Sequence, residues 1–342
     1  MSQKTGFYVL VMQSVSEKSY ARIGLTGNPS DGYGGKTLSV ICKNFCATVS
    51  VKESARLVLV PDAYEFESVS SLQASINQDG YYGAARLFKA TLKVFAEYVE
   101  AYCDEKTLAR SFTISYQTDI PRMVGLSGSS ALIVATLKAL MKFYDVQIDP
   151  LVLPSLALTV ERDELNIGGG LQDRVIQFYE GLVAMDFSEP ATIDGFVCGH
   201  YRSLDPALLP DLYMAFSTGE SEPTEVFHND LKTRYQAGES LVVDAMTELA
   251  KLSEQSVAAL EQGAHETFSA LMDQNFDIRR SISNLNPQHV AMIETARSCG
   301  VSAKYAGSGG AIVGVCTEDQ DYQRLCERLK AQGCQVIRPV VV

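Results

Sequence analysis

Residues 121–131, PRMVGLSGSSA, combine the residue types that a bound phosphate group requires. Gly125 and Gly128 remove side-chain bulk, while Ser127 and the pair at 129–130 supply hydroxyl groups. A strongly apolar stretch with helical periodicity follows, so the free N–H groups and the positive dipole end of a helix would converge on this loop. A capped helix entry would use similar residues. The coincidence of glycines, serines and a buried helix favours phosphate binding.

Two acidic residues lie near a second glycine-rich turn. Asp173 follows the glycines 168–170 at the predicted start of another helix, and Glu161 precedes it by twelve residues. Such a pair could hold Mg²⁺ and orient or deprotonate a hydroxyl nucleophile. Two solvated carboxylates at helix ends would look the same, so this segment alone leaves both interpretations open. A third glycine turn, 307–310, lies between segments that indicate strands.

The stretch 27–38, GNPSDGYGGKTL, ends like a phosphate-binding P-loop, but its spacing does not fit. The motif requires a glycine five residues before Gly35, and that position is Ser30. The residues after Thr37 are rich in β-branched side chains and indicate a strand, whereas a P-loop opens into a helix. We therefore reject a P-loop NTPase and expect Lys36 to lie outside the phosphate site.

The elements that must position these residues indicate an α+β protein. The first 60 residues predict mainly strands, 81–102 a helix, 112–121 a strand, and 225–283 long polar helices. Strands and helices interleave without a regular βαβ rhythm, which argues against a doubly wound sheet.

Composition narrows the class of protein. A length of 342 residues suggests two domains, and a net charge of −12 argues against a nucleic-acid partner. No run approaches the ~18 apolar residues of a membrane span, and no signal-peptide core is present. Eight cysteines lie mostly in apolar segments, which favours buried thiols over zinc ligands. We expect a reduced, soluble, cytoplasmic protein without a membrane partner.

Three motifs in this order resemble those of GHMP-type small-molecule kinases: ARIGLTGNPSDGYGG, PRMVGLSGSSA and KYAGSGGAIVG. The middle motif has Gly-Leu-Ser-Gly-Ser-Ser where many members have Gly-Leu-Gly-Ser-Ser, one residue fewer. The further strings GYYGAARL, GLQDRV, GLVAMDF and NFDIRR are similar to the glucuronokinase branch of the family and span most of the chain. The resemblance implies a two-domain α+β fold, with a ribosomal-protein-S5-domain-2-like part at 1–200 and a ferredoxin-like part at 201–342.

The same resemblance implies ATP and Mg²⁺ as cofactors and assigns roles to individual residues. Asp173 would be the general base, Arg22 would help to neutralise the transferred phosphoryl group, and Ser130 and Glu161 would complete the Mg²⁺ shell. The ATP phosphates would lie on the loop residues Pro121, Gly125, Leu126, Ser127, Gly128, Ser129, Ser130 and Ala131.

The N-terminal turn of sugar-1-kinases contacts sugar hydroxyls, often as Gly-Glu-His-x-Asp. Here it is Gly-Asn-Pro-Ser-Asp at 27–31, which keeps only the Asp and argues against a galactokinase. A sugar acid also needs a cationic partner for its carboxylate. Three arginines are candidates for that partner, and our order of preference is Arg174, Arg280 and Arg122. The expected substrate-binding residues are Asn28, Asp31, Tyr33, Tyr82, Arg174, Arg280 and Gly309.

The resemblance therefore predicts phosphorylation of the anomeric hydroxyl of a sugar acid, D-glucuronate first, to give its 1-phosphate. Two alternatives stay open. One is a GHMP kinase for another sugar, of the galactose, arabinose, fucose or heptose type. The other is a non-catalytic sugar sensor, which the presence of Asp173, Glu161 and Ser130 disfavours.

Overall fold

The computed structural model describes residues 13–60, 64–79, 81, 85–103, 108–219 and 225–341. Within them, seven strands form one sheet in the order β4-β3-β5-β2-β6-β7, with β1 paired to β2. All pairs are antiparallel except β3 with β5. The strands are β1 (Ser14–Thr26), β2 (Lys36–Glu53), β3 (Leu57–Leu59), β4 (Tyr64–Phe66), β5 (Phe112–Thr118), β6 (Leu182–Ile193) and β7 (Phe196–Leu204).

The helices of this half cover the sheet because their apolar residues recur on one face. These helices are α1 (Val69–Asp79), α2 (Arg86–Tyr102), α3 (Gly128–Tyr144), α4 (Leu153–Thr159) and α5 (Gln172–Tyr179). On α2, Phe88, Leu92, Phe95 and Val99 are buried at spacings of three and four residues. They join a core with Ile114 of β5 and side chains of α3. Helix α3 is buried on most sides, so its N-terminus is fixed in position.

A second sheet lies in the C-terminal part. Its strands are β8 (Leu212–Ser217), β9 (Lys304–Tyr305), β10 (Ala311–Val315) and β11 (Cys334–Ile337), antiparallel in the order β11-β8-β10-β9. The helices are α6 (Glu225–Gln236), α7 (Ser240–Glu261), α8 (His265–Ile282), α9 (Pro287–Ser298) and α10 (Asp319–Lys330). One hydrophobic cluster contains Leu38 of β2, Met214 of β8, Leu249 of α7 and Phe268 of α8. The two sheets therefore share one hydrophobic core, which fixes their relative position.

The expected α+β architecture is confirmed. The strand predicted after Thr37 is β2, so the chain after the first glycine turn does not form the helix of a P-loop. The helix predicted at 81–102 is α2, which begins at Arg86. The strand predicted at 112–121 ends at Thr118. The predicted domain boundary after residue 200 falls within β7, and the boundary itself stays a prediction.

Candidate active site

A cavity of about 780 Å³ opens where α3 and α5 begin and where the glycine turn 307–310 approaches them. This volume is in the range of small-molecule sites. The charged and amide side chains that line it come from distant parts of the chain: Arg22, Asn28, Asp31, Arg86, Arg122, Glu161, Gln172, Asp173, Arg174 and Arg279.

The loop 121–130 forms one wall of this cavity. Ser127 has φ 61° and precedes α3, and Gly125 has φ 72°. A Cβ on Gly125 would lie 2.8 Å from the backbone nitrogen of Ser308, so this position requires glycine both for its conformation and for the close approach of the third glycine turn. The first N–H groups of α3 have no acceptors within the helix, and the cavity reaches Gly128, Ser129 and Ser130 there.

Asp173 lies beside this loop, in the first turn of α5. Its Oδ1 accepts a hydrogen bond from Arg22 Nε at 2.6 Å, and its Oδ2 accepts one from Ser127 Oγ at 2.5 Å. Arg22 also donates through Nη1 to the carbonyl oxygens of Gly125 and Ala306, both at 2.8 Å. The carboxylate is therefore fixed against the loop, and the guanidinium is fixed between the loop and the third glycine turn.

A second acid–base pair is more deeply buried. Arg174 binds Glu161 through Nη2 and donates from Nη1 to the carbonyl oxygen of Gly170 at 2.7 Å. Burial lowers the pKa of Arg174 to about 10. Ser130, also buried, donates its hydroxyl to the carbonyl oxygen of Ser127 at 3.2 Å. The described part of the chain contains no cluster of three or more His, Cys, Asp or Glu side chains that could hold a metal.

The first glycine turn contributes Asp31 and Asn28. Asp31 Oδ2 accepts a hydrogen bond from the backbone N–H of Gln172 at 3.2 Å. Burial, and then the charge of Asp173, raise the pKa of Asp31 to about 6. A Cβ on Gly170 would lie 1.9 Å from Asp31 Oδ2, so the glycine at this position is what lets the two segments meet.

The structure brings together most of the predicted site residues and places others elsewhere. Arg22, Asn28, Asp31, Glu161, Asp173, Arg174 and the loop residues Pro121, Gly125, Leu126, Ser127, Gly128, Ser129 and Ser130 all line the cavity. Their individual roles stay predictions. Ala131 is buried inside α3, where its N–H bonds to the carbonyl oxygen of Ser127 at 3.0 Å.

Three other predicted residues are not among the described residues that line this cavity. Tyr33 packs on the ring of Tyr235 with centroids 4.6 Å apart. Arg280 is about half exposed and pairs with Glu294 at 3.0 Å. Gly309 lies against the ring of His289. Tyr82 falls outside the described residues.

Two buried cations are not among the site residues that the sequence favoured. Arg279 donates to the carbonyl oxygens of Gly307 at 2.6 Å and Ser308 at 3.2 Å. Lys304 lies in the two-residue strand β9, and its burial lowers its pKa well below the ordinary value. The sequence signal for this burial was the position of the lysine in a mainly apolar stretch, after Val301 and Ala303 and before Tyr305. For Arg279 the sign was its helical spacing from the apolar residues of α8.

Comparison with known proteins identifies the family. The profile of GHMP kinases N terminal domain matches residues 86–181, and that of GHMP kinases C terminal matches residues 256–333. The chain is 39% identical over 336 residues to probable glucuronokinase 2 of Arabidopsis thaliana. The aligned region covers 94% of this chain and 90% of that protein. The chain belongs to the GHMP kinase family. The predicted family and fold are thus confirmed.

This GHMP kinase is also 38% identical to glucuronokinase 1 of Arabidopsis thaliana over 96% of its own length and 92% of the relative. Its fold is similar to that of Lactococcus lactis galactokinase complexed with galactose, with a TM-score of 0.78, 16% identity, and coverage of 96% of this chain and 94% of the other. It is likewise similar to Streptococcus pneumoniae phosphomevalonate kinase in complex with phosphomevalonate and AMPPNP, with a TM-score of 0.75, 16% identity, and coverage of 95% and 99%. These two likenesses establish a shared fold.

Among the helices within the described residues, none combines the length and apolar character that a membrane crossing requires.

Proposed function

We propose that this GHMP kinase transfers the γ-phosphoryl group of ATP to the anomeric hydroxyl of D-glucuronate, giving glucuronate 1-phosphate and ADP. The observation that carries the reaction type is the position of Asp173, whose carboxylate is hydrogen-bonded to Ser127 of the glycine–serine loop and to Arg22. The acceptor is inferred from the extent of similarity to two proteins named as glucuronokinases.

The loop 121–130 supports the part of the proposal that concerns the nucleotide. A triphosphate needs several N–H donors and a positive potential, and the start of α3 offers both. The glycine at 125 lets the backbone of the loop lie directly against the third glycine turn. Because α3 is buried along its length, these donors are held in place before the ligand arrives, which reduces the entropic cost of binding.

In the proposed step, the anomeric oxygen attacks the γ-phosphorus of ATP. The bond between this phosphorus and the oxygen that bridges it to the β-phosphate breaks, so that ADP leaves, and the hydroxyl proton passes to Asp173. The carboxylate orients the hydroxyl before it accepts the proton. Arg22 lies between the loop and Asp173, and its two bonds to carbonyl oxygens fix its guanidinium. A fixed cation at this place would stabilise the charge that develops on the transferred group without further reorganisation.

The residues fit a role for Mg²⁺. This ion takes few ligands from a protein and completes its shell with nucleotide phosphates and water. Ser130 and Glu161 both line the cavity, and a hydroxyl and a carboxylate are suitable oxygen donors. Arg174 orients Glu161 through their buried contact. When bound, the ion would neutralise charge on the phosphates. We propose Ser130 and Glu161 as its protein ligands.

We further propose that the enzyme works in the cytoplasm. All eight cysteines, each of which lies within the described residues, are free thiols, and free thiols are the rule in reducing compartments.

A substrate panel tests the proposed function. The protein is incubated with ATP, Mg²⁺ and one of D-glucuronate, D-galacturonate, D-glucose or D-galactose, and products are followed by ³¹P NMR. We expect a sugar 1-phosphate signal with glucuronate and a much slower reaction with the other three. Turnover of galactose with none of glucuronate would contradict the acceptor but not the kinase. Binding of sugar without ADP release from any of the four would instead indicate a sensor.

A further inference from the structure

The amide of Asn28 is held in one orientation by a buried lysine. Lys304 Nζ donates to Asn28 Oδ1 at 2.8 Å, and also to the carbonyl oxygens of Gly24 and Tyr305, both at 2.7 Å. An amide whose oxygen is engaged in this way presents its NH₂ group to the other side. No hydrogen bond joins Nδ2 of Asn28 to another residue in the described part of the chain, and Asn28 lines the cavity. The turn therefore presents a hydrogen-bond donor there.

Arg279 lies close to the same turn because it is on the face of α8 that packs there. Asn275, four residues earlier on that helix, accepts a hydrogen bond from the N–H of Gly27 at 2.6 Å and donates to the carbonyl oxygen of Asn28 at 3.2 Å. Residues four apart lie on one helix face, so Arg279 follows Asn275 toward the cavity, which it lines. Its bonds to the third glycine turn and its packing 5.3 Å from the Tyr305 ring centroid fix its guanidinium.

Buried cations cluster in this corner, where the carboxylate of Asp31 also acts on Arg279. Burial lowers the pKa of Lys304, and the neighbouring charges of Arg279 and Arg22 lower it further. No carboxylate contacts the Lys304 ammonium group among the residues that the structure describes. By contrast, Arg22 is paired with Asp173, and Arg174 with Glu161. A bound anion next to Arg279 would relieve the repulsion among these cations.

We propose that Nδ2 of Asn28 and the guanidinium of Arg279 form the subsite for the carboxylate of the sugar acid, and that Lys304 is a positioning residue that orients the Asn28 amide. This inference rests on the proposed function. It replaces Arg174, Arg280 and Arg122, the residues that the sequence favoured for this carboxylate, with Arg279. Arg86 and Arg122 are exposed and line the same cavity, where a carboxylate would compete with water for them.

The test compares D-glucuronate with D-glucuronamide, in which a neutral carboxamide of the same shape replaces the carboxylate. We expect the wild-type ratio of kcat/KM for acid over amide to be high. Asn28→Asp replaces the donor by an acceptor that still accepts from Lys304, so the ratio should fall about 100-fold, because a hydrogen bond to a charged group is lost and a like charge is added. Arg279→Gln should lower it about tenfold or more, because the cationic partner of the carboxylate is lost.

The matched control is Arg202→Gln, which removes an exposed arginine that pairs with Glu261 at 2.6 Å and should leave the ratio as in the wild type. Retention of the wild-type ratio, within threefold, in either site variant overturns the subsite. A wild type that turns over both compounds equally also overturns it, while the proposed kinase stands. A wild type that turns over neither contradicts the proposed function instead. Should a variant fail to fold by circular dichroism, Asn28→Ser or Arg279→Lys replaces it, each with an expected fall of about tenfold.

Discussion

Two glycine-rich loops in this chain look alike in sequence and differ in what their backbone can bind. In the loop 27–35 several N–H groups are bound by acceptors of the protein itself. Gly27 N donates to Asn275 Oδ1 at 2.6 Å, Ser30 N to the carbonyl oxygen of Gly27 at 2.9 Å, and Gly35 N to that of Ser30 at 2.8 Å. The loop 121–128 instead ends at the start of a buried helix, where N–H groups lack partners within the helix.

The difference shows that the element after a glycine loop decides its chemistry. In a strand such as β2 the N–H groups are hydrogen-bonded to neighbouring strands, here β1, β5 and β6. A helix leaves its first N–H groups aligned with its dipole and free to bind an anion. The first loop accordingly provides side chains, Asn28 and Asp31, and the second provides backbone. The four predictions below test this division of roles.

The largest expected effect comes from Asp173→Asn. The amide keeps the shape and can still accept the Arg22 hydrogen bond, but it cannot accept the hydroxyl proton. We expect kcat to fall about a thousandfold, with the dissociation constant for ATP nearly unchanged. Single-turnover kinetics and nucleotide titration measure the two quantities. If the variant keeps more than a tenth of the wild-type rate, Asp173 is not the base.

The next largest effect concerns the metal. Ser130→Ala removes the proposed hydroxyl ligand at the start of α3, and we expect the Mg²⁺ concentration for half-maximal rate to rise about tenfold. A Mg²⁺ titration at saturating ATP measures it. Ser188→Ala, which alters an exposed serine bonded to Asp186, is the control and should leave the titration unchanged. An unaltered titration for Ser130→Ala would remove this residue from the metal site.

The sequence was sufficient to predict that the second loop and Asp173 each lie at the start of a helix, because each is a local pattern of glycines, polar residues and a following helix. It was not sufficient for the choice between Arg279 and Arg280. One residue along a helix is a rotation of about 100°, and only tertiary packing shows which of the two faces the cavity. Lys304 was missed for a related reason. Two of its three acceptors belong to segments some 280 residues away in sequence, which no local pattern reveals.

A smaller effect is expected from Asp31→Asn, and its sign depends on pH. Because the folded protein raises the pKa of Asp31 from 3.8 to about 6, the protonated form is favoured by folding. The stability that this contributes is present below pH 3.8 and is lost as pH rises through about 6. Relative to the wild type, the variant should gain about 2 kcal/mol between pH 4 and pH 7.

Urea unfolding of both proteins across this pH range measures that difference. A pH-independent difference between the two would show that Asp31 ionises normally in the folded protein. The first loop would then not bring a carboxylate into a site of reduced solvation, and its contrast with the second loop would be weaker.

The smallest effect is expected from Lys36→Ala, the residue that a P-loop would use to bind phosphate. Lys36 Nζ instead contacts Asp186 at 2.8 Å and Glu254 at 2.5 Å. We expect kcat and the KM for ATP to stay within twofold of the wild type and the free energy of unfolding to fall by about 1 kcal/mol or less, as for other exposed ion pairs. Lys251→Ala, which breaks the exposed pair with Glu248, is the matched control. A hundredfold rise in the KM for ATP, in Lys36→Ala alone, would mean that the first loop binds phosphate after all, because the loss of surface ion pairs cannot produce an effect of that size.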